Sequence, residues 1–120
     1  MGELPILNRE RLDLLFDGDM ALVAQVLEIV EVDFPELCLK LQQAIADGET
    51  ELVHRHAHTL KGSLANVGGD RASAIAARID SAAKESSLGC CMEDCHLLKQ
   101  TITAFLEELR STVGRGREKE

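Results

Sequence analysis

Apolar residues recur every three or four positions along nearly the whole chain. That is the period of an α-helix with one buried face. No stretch alternates as a half-buried strand does. The longest series includes Leu22, Val23, Val26, Leu27, Val30, Phe34, Leu37, Leu41, Ala44 and Ile45, and it predicts one long helix. Pro35 falls inside it, removes one backbone donor and is expected to bend it. Asp47-Gly48 ends it with a Gly C-cap. Ahead of it the pattern predicts a short helix from about Asn8 to Phe16, with Asn8 as N-cap. Asp17-Gly18-Asp19 breaks that helix.

A third helix is predicted from Glu49 or Thr50, with Val53, Ala57, Leu60, Leu64 and Val67 inward, up to Gly68-Gly69. Asp70 is placed to cap a fourth, whose stripe is Ala72, Ile75, Ala76, Ile79, Ala82 and Ala83. A stripe so rich in Ala lets neighbouring helices approach closely. Ser86 to Cys91 reads as a loop. A last helix is predicted from about Glu93 to Thr112, with Leu98, Ile102, Phe105, Leu106 and Leu109 inward. Four long amphipathic helices with short connections imply an all-α fold, an antiparallel up-down four-helix bundle with a short extra N-terminal helix. Sustained heptads are lacking, which argues against an extended coiled coil. The bundle is expected over residues 1–113, and the charged, Gly-rich tail, 114–120, is expected to be mobile.

Composition narrows the function. A chain of 120 residues suggests one domain. Twenty-one acidic against 13 basic residues give a net charge of −8. Such a surface argues against nucleic acid, whose binding rests on neutralising phosphates with Lys and Arg. It also disfavours an anionic membrane. With three Phe and no Tyr or Trp, stacking platforms for bases are absent and the core must be aliphatic. No run approaches the roughly 18 apolar residues of a spanning helix. Met1 to Arg11 has no basic region followed by an apolar run, so no signal peptide is visible and a cytoplasmic location is expected. Cys38, Cys90, Cys91 and Cys95 then read as free thiols. The segment Cys90 to Cys95 with His96 carries soft ligands but lacks paired C-x2-C spacing.

Three of the four His, at 54, 56 and 58, lie on the third helix. At about 100° per residue, the core stripe centres roughly 130° from His58. His58 therefore faces solvent. His54, Lys61, Gly62 and Ala65 lie within roughly 60° of it, whereas His56 lies about 160° away, near the core side. Gly62 sits mid-helix, where it costs roughly 0.5–1 kcal/mol against Ala. With Ala65 it leaves a gap one turn beyond the imidazole. A nucleophilic ring, a nearby cation and steric clearance are what phosphoryl acceptance needs. An ordinary surface His is the bland reading of the same residue. The i, i+4 pair His54 and His58 also has metal-ligand spacing, but Arg55, His56 and Ala57 leave no carboxylate base between them.

The stretch Ala57-His58-Thr59-Leu60-Lys61-Gly62, with small residues and Gly68-Gly69 after it, resembles the histidine-containing phosphotransfer (HPt) domain signature A-H-x-L-K-G. The likeness extends from roughly Leu7 to Leu109. It implies that His58 is the phosphoacceptor through Nε2, that Lys61 contacts phosphoryl oxygens, and that Gly62 keeps the ring accessible. Relatives often carry Glu or Gln 22 residues after the His to orient its other nitrogen. Here that position is Asp80, shorter by one methylene, and the bland reading is an exposed residue pairing with Lys84. The resemblance further implies a phosphorelay carrier without autokinase activity, in this case a stand-alone domain. Its partners would be a response-regulator receiver domain and a hybrid sensor kinase. No cofactor would be bound by this chain, with Mg²⁺ on the receiver. A monomer is expected, because a covalent carrier needs His58 free. Ile6, Leu7, Leu12, Leu15 and Phe16 offer more apolar surface than a short helix readily buries, for capping the bundle or for docking. The competing readings are a non-catalytic helical adaptor and a metal-binding bundle.

Overall fold

The computed structural model describes residues 3–118, with side chains as far as 115. Five helices follow in order: α1 (Arg9–Phe16), α2 (Met20–Ala46), α3 (Thr50–Ala65), α4 (Asp70–Lys84) and α5 (Cys91–Glu118). No strand occurs among the described residues. The four long helices close into a ring. α2 packs on α3, α3 on α4, α4 on α5, and α5 returns to α2, while α1 rests on α2. Connections this short force each helix antiparallel to the one before it.

Local chemistry sets the boundaries. Asn8 and Asp19 cap α1 and α2, each carboxamide or carboxylate oxygen accepting the amide of the third residue on, Arg11 or Leu22. α2 runs unbroken through Pro35, which lies on the exposed side, where water can satisfy the carbonyl that the missing N–H leaves free. Its inward face holds Val23, Leu27, Val30, Phe34, Cys38 and Leu41, but Leu22 is exposed and Val26 and Leu37 are only half-buried. In the centre of the core the Phe34 and Phe105 rings meet with centroids 6.3 Å apart. Around them lie Leu41, Val53, Ala57, Leu60, Leu64, Ala72, Ala76, Ile79, Leu98 and Leu109. No described helix is long and apolar enough to cross a membrane.

The start and end of α5 differ from the sequence expectation. It begins at Cys91, because the thiols of Cys91 and Cys95 are part of the core. It does not stop near Thr112 but continues helically through Gly114 to Glu118, so the expected tail 114–120 is largely α5 backbone. Thr112 and Val113 are still buried against the bundle, and a Gly directly after them costs only about 1 kcal/mol against Ala, too little to end a helix held by that packing. Residues 119–120 of that tail lie outside the described residues.

Asp70 also acts differently from the cap expected of it. Gly69 holds the cap position of α4 and Asp70 is the first helical residue. Its carboxylate accepts from Asn8 Nδ2 at 2.8 Å and from Arg11 at 3.1 Å. The segment before α1 thereby straps the α3–α4 turn. Asn8 N donates to the Gly68 carbonyl at 2.7 Å, Arg71 N to the Pro5 carbonyl at 3.1 Å, and Arg71 Nε to the Leu4 carbonyl at 2.7 Å. Leu7 and Leu12 are buried beneath the strap, Ile6 and Phe16 are half-buried, and Leu14 and Leu15 point to solvent.

Candidate functional site

Val53, Ala57, Leu60 and Leu64 bury one side of α3 completely, which turns His58 outward on the other. The His58 side chain is 62% exposed. Opposite it, α4 contributes Asp80 from the seam between the two helices. Asp80 follows the core residue Ile79 and is 2% exposed, so it is not the exposed side chain of the bland reading. Its Oδ1 is hydrogen-bonded by His54 Nδ1, its Oδ2 lies 3.3 Å from His58 Nδ1, and Lys84 Nζ lies 3.8 Å from the same Oδ2. The two imidazole centroids are 5.7 Å apart. The described residues contain no buried side-chain polar atom without a partner.

The arrangement fixes protons. Burial alone would push the Asp80 carboxyl up. Hydrogen bonds from His54 and His58, with the charges of His54 and Lys84, outweigh burial and hold it below the ordinary carboxylate range. An ionised carboxylate only accepts, so each facing ring nitrogen must be the donor. Both imidazoles then carry Nδ1–H, and the lone pair of His58 sits on Nε2, away from Asp80.

Lys61 lies one turn on, half-buried, with its carbonyl accepting from Ser73 Oγ at 2.8 Å across the α3–α4 seam. None of the ion pairs among the described residues uses its ammonium. Gly62 is exposed, and a Cβ there would meet no atom within 4 Å. A shallow cavity of about 340 Å³ beside the rings is lined by Glu51, His54, Arg55, His58 and Thr59. His56 stands apart and half-buried; burial first, then Lys40 and Arg55, pushes its pKa down.

Among the described residues no group of three or more His, Cys, Asp or Glu is arranged to hold a metal ion. His54 and His58 both turn their Nδ1 atoms onto the carboxylate of Asp80. Of the thiols, Cys90 is exposed, whereas Cys38, Cys91 and Cys95 are buried, and burial pushes the Cys38 thiol up to about 12.

His58, Lys61, Gly62 and Asp80 thus lie along one α3–α4 seam. The helical period places His54 beside His58 but does not reach its bond to Asp80. The i, i+4 spacing of the two His was the available signal, because a side chain that reaches one ring from the next helix can reach both.

A protein-family model described as Hpt domain matches residues 25–112. The comparisons with curated proteins and with solved structures find no match.

Proposed function

The chain belongs to the Hpt domain family, which serves phosphotransfer in two-component systems, and from that premise we propose that His58 is the phosphoacceptor. It takes the phosphoryl group from, and returns it to, the aspartate of a response-regulator receiver domain. The observation that carries this reading is the pairing of His58 Nδ1 with buried Asp80, which leaves Nε2 facing outward.

The proposed step balances without moving a proton. The Nε2 lone pair of the neutral ring attacks phosphorus in line, the bond from phosphorus to the receiver's aspartyl oxygen breaks, and that carboxylate leaves as an anion. Nδ1 keeps its hydrogen, and the ring gains positive charge. Asp80 faces that charge as it develops, which favours the transition state as well as the product. Lys61 reaches toward the equatorial oxygens, and the open space over Gly62 admits the receiver. Mg²⁺ is supplied on the receiver, this chain binds no cofactor of its own, and it does not phosphorylate itself from ATP. A receiver domain and a hybrid sensor kinase are its proposed partners. The carrier works as a monomer, with His58 free on its surface.

The test is direct. Receiver domains charged with radiolabelled phosphate are mixed with the protein and Mg²⁺. The expected result is acid-labile, alkali-stable label on the wild type and none on His58→Gln. No label on the wild type, or equal label on both, overturns the proposal. A plain adaptor would bind the receiver in both forms and take label in neither.

A further inference from the structure

The carboxylate of Asp80 serves two imidazoles, and only one of them is the proposed acceptor. We propose that His54 is a positioning residue for phosphotransfer, holding Oδ1 of Asp80 so that Oδ2 is aimed at His58 Nδ1. The inference rests on the phosphotransfer reading above and extends it to a second residue of α3.

Asp is a short side chain, and here it has to cross a helix–helix seam. Its carboxylate can rotate about the terminal bond. Lys84 Nζ is 3.8 Å from the same Oδ2 that faces His58, so a cation competes for the working oxygen. A buried carboxylate oxygen left without a donor keeps its full desolvation penalty, so some group must occupy Oδ1. His54 does so from one turn before His58 on the same helix. With Oδ1 tied to α3, the carboxylate plane is set, and Oδ2 falls toward the second ring of that helix. His54 is the more covered of the two rings, its side chain 43% exposed against 62% for His58, and the His58 ring stands one turn beyond it.

Three variants and two readouts test the role. His54→Leu keeps bulk and removes the donor. His54→Asn places an amide N–H close to the position of Nδ1. Asp80→Asn removes the charge through which His54 is argued to act. Labelling of His58 from a phosphorylated receiver domain should slow roughly tenfold in His54→Leu, as expected when a reacting group is misplaced. His54→Asn should restore most of that rate. In an Asp80→Asn background His54→Leu should add almost nothing, because two groups acting through one contact are not additive. Nitrogen NMR of the imidazole rings in unphosphorylated protein gives the second readout. His58 should hold its proton on Nδ1 in the wild type, lose that preference in His54→Leu and regain it in His54→Asn. An unchanged His58 tautomer in His54→Leu, or effects of His54→Leu and Asp80→Asn that simply multiply, overturns the proposal. A fall in thermal stability with the tautomer intact would mark His54 as structural only and also overturns it. Should the wild type take no label at all, the phosphotransfer reading fails, while the tautomer measurement still decides whether His54 positions Asp80.

Discussion

A Cβ on Gly62 would touch nothing in the fold, so packing does not explain a glycine in the middle of α3. Gly69, by contrast, is crowded by Leu64 and Phe105, which a Cβ there would meet at 3.2–3.3 Å. Stability and transfer should therefore respond to Gly62→Ala in opposite directions. Helix propensity should raise the urea midpoint, by the equivalent of about 0.5–1 kcal/mol. Labelling of His58 should slow, because the new methyl would stand where the proposed receiver approaches. At Asp80 the sign follows from its lowered pKa. Its unfolded value is near 3.8 and its folded value lies below that. The stabilisation is present above pH 3.8 and is lost as pH falls through the folded value. Urea midpoints measured from about pH 5 down to about pH 2 should fall less in Asp80→Asn than in the wild type, since Asn has no such proton to take up.

The α3–α4 turn is the element on which the site depends, and Gly68 is its pivot. It has φ +79°, and a Cβ there would lie 2.9 Å from the Asn8 carbonyl oxygen. Gly68→Ala should cost at least 1–2 kcal/mol, roughly the left-handed penalty, with the clash against the strap added. Thermal unfolding measures it, and the loss should shrink if the strap before α1 is removed. Helix order, the inward stripes and the outward placement of His58 were all legible in the sequence, because each follows from a 3.6-residue period. Lys61 and Gly62 were legible through their offsets from His58. The rest depended on contacts between elements. Asp70 sits where a cap belongs, yet it is drawn to Asn8 and Arg11, partners more than fifty positions away. The passage of α5 beyond Thr112 goes with burial of Thr112 and Val113, which no local breaker signal reports. Leu22 fits the periodic series of α2 and is exposed nonetheless, because the ring of helices covers only part of that face. The bond from His54 to Asp80 needed the angle between α3 and α4, which periodicity does not contain.

Across the whole molecule the net charge is −8, but acids are unevenly spread. None lies between Glu51 and Asp70, the run that carries His54, Arg55, His56, His58 and Lys61. Folding brings Asp80 to this face and buries it beneath the rings, where His54, His58 and Lys84 surround its charge, and Glu51 at the edge of the cavity is answered there by Arg55. The surface around His58 thus remains locally cationic on an acidic protein. Binding to an acidic receiver surface should weaken several-fold between about 0.05 and about 0.5 M salt, a titration that calorimetry can follow. The arrangement of the α3–α4 pair also bears on how the chain acquires its chemistry. His54, His58, Lys61, Gly62, Asp80 and Lys84 all belong to one helical hairpin, with His54 and His58 only 26 and 22 positions from Asp80. Closing so short a loop costs little entropy, and local pairings of this kind form early and quickly. The proposed reactive centre is thus built within a single helical hairpin.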